Sequence, residues 1–316
     1  MTRYLIRRLI LLVPTLFGVS IVAFAIMHLI PGDTVDALIG TEANLSPETR
    51  DTLRRILGVD QPVYRQYLSW LGGLLRGDFG VSLISRAPVR ETLLRGLPVT
   101  VELAVLSTLI GLVVGLPLGV VSAIHRRGWS SAGTRFVGLL GLSLPNFWLA
   151  ILLLLAGARW FKWSPALIYV PLWKDPLANL AQMLLPAISL AVGLIAVIMR
   201  MTRSSLLEVL NQDFIRTARA KGLREGAVVL SHGLRNAMIP VVTMIGIQFA
   251  YLLGGAVVVE QIFGLPGLGW MLMKGIMQRD YPVVQGGVLF VTFAFIVVNL
   301  AVDLVYARLD PRIVYE

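Results

Sequence analysis

The residues best suited to specific chemistry form a polar, arginine-rich segment at 213–240, which lies between two long apolar segments. Asp213 can cap a short helix, and Gly222 can end it because glycine adopts the left-handed conformation without steric cost. Arg219 and Lys221 lie in the last turn, where cations interact favourably with the helix dipole. Such a helix can bind in a groove of another protein or rest on lipid headgroups, and the local pattern allows both. We therefore predict that this segment is a docking element.

One face of the predicted docking helix combines a bulky residue with a small one. Phe214 and Ala218 are four positions apart and therefore share a face, with Ile215 and Thr217 beside it. A bulky end followed by small residues would let the helix lie close in a groove. The candidate docking residues are Asp213, Phe214, Arg216, Thr217, Ala218, Arg219, Lys221 and Gly222.

A second group of candidates consists of polar residues inside apolar segments, where each is costly if a bilayer surrounds it. Gln248 and Tyr251 lie midway along one apolar segment and are the better candidates for lining a path across a membrane. Asn299 and Asp303 lie one helical turn apart in the last segment and are further candidates. These two, like Glu102 at the start of an earlier segment, can equally hold helices together through hydrogen bonds.

The segment 260–270 is rich in glycine and contains a proline, so it cannot be a regular helix throughout. It could be a re-entrant or gating loop, because irregular backbone at membrane depth is tolerated where it lines a cavity or is buried. It could also be an ordinary external loop. The candidate gate residues are Glu260, Phe263, Pro266 and Gly267.

Composition shows what must position these residues. Of the 316 residues, 56% are hydrophobic and 15% are charged, against about 25% charged in soluble domains. The apolar runs are long and continuous, unlike the short alternating segments of an outer-membrane barrel. We therefore expect an all-α integral membrane protein with six transmembrane helices. At about 20 residues per span, these are expected at 9–30, 100–124, 135–157, 184–200, 237–259 and 283–306.

The net charge of +10 does not by itself indicate a nucleic-acid partner. The basic residues mainly flank apolar segments, as orientation in a bilayer demands. There is no cysteine, and the three histidines are far apart in the sequence. No disulfide, metal site or catalytic residue is predicted.

The distribution of Lys and Arg predicts the orientation. With the N-terminus inside, the inner segments carry 15 of these residues and the longer outer segments carry 13, so the inner density is about double. This divides the chain into a transmembrane helix at 1–30, an external segment at 31–98, a transmembrane domain at 99–306 with a cytoplasmic loop at 200–236, and a cytoplasmic tail at 307–316. Arginines before the first apolar run resemble a signal peptide, but a run of about 22 residues favours an uncleaved span.

The external segment predicts two helices. Ser46 and Pro47 can open the first, which Gly58 then ends. The second is expected over 61–75, between the first span and the turn residues that follow. The segment could meet an external partner or pack as a lid on the membrane core. The apolar face of the second helix is expected to consist of Tyr64, Tyr67, Leu68, Leu71 and Leu75.

The docking segment resembles the cytoplasmic loop of type I ABC importer permeases, whose pattern is Glu-Ala-Ala, three residues and Gly. Arg216, Thr217 and Ala218 occupy the first three positions before Gly222, so the chain departs from that pattern at two of them. This departure is similar to the dipeptide, oligopeptide and nickel permease branch, and the long external segment resembles its B-type subunit. The resemblance covers nearly the whole chain, with matching motifs at 77–80, 98–103, 145–148, 200–206, 260–267, 279–282 and 310–312.

The resemblance implies a membrane subunit with several partners. It would share its pathway with a second homologous permease, bind two ABC ATPase subunits at 200–236, and receive cargo from an external substrate-binding protein. It would lie in the cytoplasmic membrane of a prokaryote with both termini in the cytoplasm. A phosphate-binding loop needs Gly-Lys, and none of the four lysines follows a glycine. We therefore expect that this chain is not an enzyme and binds no cofactor, and that ATP and Mg are bound by the ATPase subunits.

The cargo stays open, because no motif distinguishes dipeptides or oligopeptides from glutathione or chelated nickel. Two other classes of protein are possible alternatives. An intramembrane enzyme would need paired carboxylates or a Ser/His set at membrane depth, and neither Glu102 nor Asp303 lies in such a motif. A stand-alone channel or ion-coupled carrier would have no need of the docking segment.

Overall fold

The computed structural model describes residues 2–29, 47–56, 58, 60–125, 129–165 and 168–309. These residues form helices and no β-strand, with one isolated bridge between Val81 and Pro88, which confirms the all-α class. The helices, in chain order, are α1 (Thr2–Leu29), α2 (Pro47–Ile56), α3 (Val63–Leu75), α4 (Val89–Ile124), α5 (Trp129–Ser143), α6 (Asn146–Phe161), α7 (Pro176–Val209), α8 (Asp213–Ala220), α9 (Glu225–Ala227, a π-helical turn Val228–Leu234, and Arg235–Gly255), α10 (Val257–Phe263), α11 (Leu268–Met277) and α12 (Tyr281–Leu309).

Five of the described helices are long and apolar enough to cross a membrane by themselves, namely α1, α4, α7, α9 and α12. They coincide with five of the six predicted spans. The remaining predicted span, 135–157, consists of two helices, α5 and the apolar α6, separated at Leu144 and Pro145. Proline removes a backbone donor and keeps the residue before it out of the helical region. A count of apolar residues does not detect that break.

The helix α7 begins eight residues before the predicted span at 184–200, and its start has a clear cause. The Asp175 side chain accepts hydrogen bonds from the backbone nitrogens of Leu177 and Ala178, at 3.1 Å each. Pro176 occupies the first helical position, where its missing N–H costs nothing. This Asp-Pro signal was readable in the sequence and was missed because the span was sought by hydropathy alone.

The described chain divides into two compact units. One comprises residues up to Thr100 together with Pro266–Ile296, and the other comprises Val101–Leu265 together with residues from Val297 onwards. The helices α4 and α12 each contribute to both units. The docking segment lies wholly in the second unit.

In the first unit, α3 packs on the membrane-length helix α1. The Ser20 and Tyr67 hydroxyls are 2.8 Å apart, and the Phe24 ring lies 5.3 Å from that of Tyr67 and 5.8 Å from that of Trp70. The predicted apolar face of α3 was wrong in part, because Tyr64 and Leu68 are each 61% exposed and Leu75 is 81% exposed. The contact favours the lid interpretation for α3. Ser46, the predicted helix cap, lies outside the described residues, whereas Gly58 has the expected positive φ of 68°.

The loop that follows α3 is fastened by a buried carboxylate from the start of α12. Asp280 is 2% exposed, and it accepts hydrogen bonds from the Ser82 hydroxyl at 2.5 Å and from the Leu83 backbone nitrogen at 3.3 Å. Gly80 allows the tight approach with a φ of 81°, since glycine alone adopts such angles freely. This clamp joins residues almost 200 positions apart and was not predicted.

Replacing Asp280 with alanine should loosen this loop, because the Ser82 hydroxyl and the Leu83 N–H would lose their acceptor. An unsatisfied buried polar group costs about 1–3 kcal/mol. We expect faster tryptic cleavage after Arg86, which lies in the loop, and a lower melting temperature in detergent. Asp60→Ala, which removes an exposed carboxylate from the same unit, is the control and should leave both unchanged. Equal cleavage rates for wild type and Asp280→Ala would contradict the clamp.

In the second unit, α7 packs between α4 and α5 through glycines. Gly111, Gly115 and Gly119 recur every four residues along α4 and face α7 at close range. A Cβ atom on Gly115 would lie 3.1 Å from the Ile195 carbonyl oxygen, and one on Gly141 of α5 would lie 2.9 Å from that of Val192. Small residues are favoured between membrane helices because they let the backbones approach. The helix α7 is thereby the most buried candidate span of the described chain.

Candidate functional site

The docking segment folds as the short helix α8, and its termini differ in part from the prediction. Asp213 does not cap the helix, because it is the first helical residue and Gln212 occupies the N-cap position. The Asp213 carboxylate instead lies 3.2 Å from Nη1 of Arg216, and a carboxylate in the first turn still suits the helix dipole. Gly222 follows α8 with a φ of 77°, so the predicted glycine stop is confirmed.

One face of α8 is buried against the chain's own core. Ile215 is 0% exposed and Ala218 is 7% exposed. Both belong to a hydrophobic cluster with residues of α4, α7 and α9, namely Ala123, Leu206, Val209, Leu210, Val228, Val229 and Ala237. The helix is therefore seated on the ends of α7 and α9. Ala218, expected on the docking face, packs inward in this structure.

The adjacent face of α8 is exposed and carries a different set of the predicted residues. Phe214 is 42% exposed, an unusual position for a phenylalanine outside the lipid-facing surface. Thr217 and Lys221 follow it at spacings of three and four, so the three residues share a face, and both are exposed. We call Phe214, Thr217 and Lys221 the outer face of α8. This face is available to a partner.

An ion pair closes the corner between α8 and α9. The Arg219 guanidinium donates to both carboxylate oxygens of Glu225, at 3.1 Å and 2.6 Å. This hydrogen bonding lowers the pKa of Glu225 and raises that of Arg219. The pair is therefore intact at neutral pH and would be lost only as the pH falls through the lowered pKa of Glu225. Arg219 and Glu225 carry opposite charges on the two sides of Gly222, which could have indicated the ion pair from the sequence, but the pair was not predicted.

Near its start, α9 contains the π-helical turn Val228–Leu234, and this end of α9 packs on α7. The Ser205 hydroxyl of α7 donates to the Ala237 carbonyl oxygen at 2.9 Å, and a Cβ atom on Gly233 would lie 3.0 Å from Cδ1 of Leu206. π-helical turns are rare and occur frequently at functional sites. Hydrophobic periodicity does not reveal such a turn. The result is that α8 is connected to two membrane-length helices through packing as well as through the chain.

The candidates for a path across the membrane are less concentrated. Gln248 is half-buried on α9, Tyr251 is 67% exposed one turn further on, and Asn299 is half-buried on α12. The side chain of Asp303 lies outside the described residues. The role of these residues in lining a path stays a prediction.

The segment 260–270 is interrupted, as predicted, but it is more ordered than a loop. Glu260 and Phe263 lie in α10 and are 0% and 2% exposed. The Phe263 ring packs edge-on against Trp163 at 5.9 Å, and Gly264 ends the helix with a φ of 65°. Pro266 is half-buried and Gly267 precedes α11. The gate role stays a prediction.

The Glu102 side chain is hydrogen-bonded to a residue outside its own helix. Its carboxylate accepts a hydrogen bond from the Tyr169 hydroxyl, in the connection between α6 and α7. Burial, together with this hydrogen bond, raises the pKa of Tyr169 above its ordinary value. Asn179 supports the same connection by donating to the Val170 carbonyl oxygen at 3.0 Å. These bonds favour the helix-fixing interpretation of Glu102 over a role in a path.

The described residues form several membrane-length helices, and the short helix α8 packs on the ends of two of them. This arrangement defines a multi-pass membrane protein with a helix that could engage a partner. The sequence matches the family described as binding-protein-dependent transport system inner membrane component over residues 115–315, and the N-terminal component of the same kind over residues 1–104. The chain belongs to this family. It is an inner-membrane permease of the ABC importer class, in the peptide-transport branch, which confirms the resemblance.

Curated relatives match along the whole chain. A Brucella abortus protein named as a peptide transport system permease is 43% identical over 316 residues, covering 100% of both chains. The dipeptide transport system permease protein DppB of Escherichia coli is 42% identical and covers 99% of both. The glutathione transport system permease protein GsiC, also of Escherichia coli, is 40% identical over 316 residues and covers 100% of both.

The fold is also similar to solved structures. The MetNI methionine ABC transporter in an inward-facing conformation contains a chain that matches with a TM-score of 0.56 and 21% identity. The match covers 69% of this chain and 96% of that one. At this identity the likeness concerns the fold alone.

Proposed function

We propose that this chain forms half of the pathway of an importer that carries dipeptides or oligopeptides into the cytoplasm, driven by ATP hydrolysis on two partner subunits. The observation that carries the cargo class is the full-length identity of 42% with a dipeptide permease. The other half of the pathway is a second homologous permease, and an external substrate-binding protein delivers the cargo. Both termini and the segment 200–236 face the cytoplasm, in agreement with the density of Lys and Arg.

The structure of α8 supports its role as the element that couples ATP hydrolysis to the pathway. Its outer face, Phe214, Thr217 and Lys221, is free to bind an ATPase subunit. Its inner face packs on α7 and α9, so a force applied to α8 reaches two membrane-length helices directly. The Arg219–Glu225 ion pair adds a contact between α8 and the start of α9. Movement of the docked subunits would thereby alternate the pathway between outward-open and inward-open.

The division of labour follows from what the sequence provides. No Gly-Lys pair occurs, so the chain has no phosphate-binding loop of the usual kind. ATP and Mg would be bound by the ATPase subunits, and this chain would hold no cofactor. Among the described residues, no group of three or more metal-ligating side chains forms.

Glutathione is the second candidate cargo, because a glutathione permease is 40% identical over the whole chain. Glutathione is itself a short peptide, so the difference concerns specificity and not the class of transport. Chelated nickel is a third candidate within the same branch.

A transport assay tests the proposal. The chain is co-expressed with its partner permease, ATPase subunits and binding protein, and the complex is reconstituted into vesicles. We expect uptake of a dipeptide or an oligopeptide to require ATP and the binding protein, and the same cargo to stimulate ATP hydrolysis. Glutathione and a nickel chelate are assayed in parallel. Uptake by the purified chain alone would contradict the coupling, and stimulation by glutathione or nickel only would move the cargo to one of the alternatives.

A further inference from the structure

A small cavity opens in the second unit between α4, α5 and α7, on the side where α4 ends. Its volume is about 220 Å³. The wall is mainly apolar, and the polar groups are confined to one end. The lining includes Ser122 of α4, Gly138, Leu139 and Leu142 of α5, and Arg200 and Arg203 of α7.

The cavity exists because α5 touches α7 through glycine. A Cβ atom on Gly138 would lie 2.6 Å from Cε of Met199, so the Met199 side chain packs directly on the backbone of α5 there. Leu139 and Leu142 then point past this contact and are 66% and 43% exposed. A crevice with apolar walls results, open to the surroundings of the helices. In a bilayer those surroundings are lipid.

The polar end of the crevice is strongly basic. Arg203 reaches across from α7 and its Nη1 donates to the Ser122 hydroxyl, while Ser122 itself is 2% exposed. Arg200, one turn earlier, is exposed beside it. Ser122 is only two residues from the end of α4, so the basic groups lie towards one end of this membrane-length helix.

The two stretches of sequence that supply the lining contain basic residues and no acidic ones. Neither 111–143 nor 186–207 contains an aspartate or a glutamate, whereas both contain arginines. An arginine fork suits phosphate oxygens, which it can bind through two parallel hydrogen bonds. Basic pockets between membrane helices bind anionic lipid headgroups by the same chemistry.

We propose that this crevice binds an anionic phospholipid, with its phosphate at Arg200 and Arg203 and part of an acyl chain along Leu139 and Leu142. The occupant is a lipid and not a free phosphate because the phosphate-binding end is continuous with an apolar wall that a soluble anion would leave empty. The lipid would fill the space between α5 and α7 and hold the two helices at their present separation. The leaflet follows from the proposed orientation and is the cytoplasmic one, but binding does not depend on the direction of transport.

Retention of lipid by the purified full chain tests the site. The chain is exchanged into mixed micelles that contain phosphatidylglycerol and phosphatidylcholine in equal amounts, and retained lipids are counted by native mass spectrometry. Wild type should retain phosphatidylglycerol in preference to phosphatidylcholine. The double variant Arg200→Gln/Arg203→Gln should lose this preference by about thirtyfold, since each of the two basic residues near anionic lipid contributes about 1 kcal/mol. Arg159→Gln, which removes an exposed arginine at the end of α6, is the matched control and should retain it.

A second variant separates a phospholipid from free phosphate. Leu139→Trp fills the apolar wall and keeps both arginines, so it should reduce retention of phosphatidylglycerol while the charge is unchanged. Unchanged retention by Leu139→Trp, together with displacement of the lipid by inorganic phosphate, would overturn the proposal in favour of a phosphate site. Equal retention of both lipids by wild type, or an equal loss in Arg159→Gln, would overturn it altogether. Transport is not measured here, so the result is independent of the proposed cargo.

Discussion

Gly119→Val should prevent the second unit from folding stably. A Cβ atom on Gly119 would lie 2.6 Å from Cβ of Thr202 and 2.8 Å from the Met199 carbonyl oxygen. Neither contact can relax by rotation of a flexible side chain, because one is backbone and the other is the first atom of a buried β-branched residue. The helices α4 and α7 would have to separate. Overpacking of this kind costs about 3 kcal/mol, the upper end of the usual range.

The measurement is the yield and melting temperature of the purified protein in detergent. Gly254→Val is the matched control, because it makes the same substitution in a membrane-length helix where a Cβ atom meets nothing within 4 Å. It carries the same change in helix propensity without the steric conflict. We expect the monodisperse fraction of Gly119→Val to be nearly lost and that of Gly254→Val to be close to wild type. Similar melting temperatures for the two variants would show that α4 and α7 do not pack through this glycine.

Phe214→Ala should uncouple ATP hydrolysis from transport while the permease stays folded. Phe214 is an exposed aromatic residue at the rim of a helix that is otherwise well seated. Buried aromatic anchors dominate the energetics of protein interfaces, and truncating one costs at least about 2 kcal/mol. The affinity for the ATPase subunits should therefore fall by roughly thirtyfold. Uptake should fall with it.

Co-purification of the ATPase subunits and ATP-driven uptake are measured together with the melting temperature of the permease. Leu230→Ala is the matched control, because Leu230 is 59% exposed on the adjacent π-helical turn but lies outside the outer face of α8. It should co-purify the subunits normally. Ala218→Arg provides the contrast, since it places a charge in the chain's own hydrophobic cluster and should lower the melting temperature as well as uptake. Wild-type uptake and co-purification in Phe214→Ala would remove Phe214 from the interface.

The results for Phe214→Ala and Ala218→Arg should distinguish the residues that hold α8 in place from the residues that are exposed to a partner. All of these residues except Ile215 belong to the eight that the sequence pattern selected. Ile215 and Ala218 hold α8 in place, while Phe214, Thr217 and Lys221 lie on its free side. Arg216 and Arg219 are engaged in ion pairs within the segment. A pattern of eight residues thus has at least three physical functions.

Much of the fold could be read from the sequence, for reasons that are strong in a membrane. The hydrocarbon core requires backbone hydrogen bonds to be satisfied within each segment, so long apolar runs must be helices. Five of the predicted spans follow from that requirement alone. The end of α8 at Gly222 was equally predictable, because few other residues adopt a positive φ. The composition and the motifs determined the class and the family.

Other features depend on which residues meet across long separations in the chain. Phe214 and Ala218 are almost equivalent on a helical wheel, and only the positions of α7 and α9 decide that Ala218 is buried and Phe214 is not. The apolar pattern likewise assigned Tyr64 and Leu68 to the packed face of α3, but both are exposed. The residues of α3 that contact α1 are Tyr67 and Trp70. The clamp between Ser82 and Asp280 leaves no local trace at either end.

The sequence by itself therefore determined that this protein is a helical membrane permease with a short polar helix that is followed by Gly222. Only the tertiary structure decided which face of that helix is available, how it is joined to α7 and α9, and that a basic crevice opens beside α7. The physical reason is the range of the interactions. Hydrophobic periodicity, glycine conformation and the cost of unsatisfied backbone act within a few residues, whereas burial is set by the packing of helices that are distant in the chain.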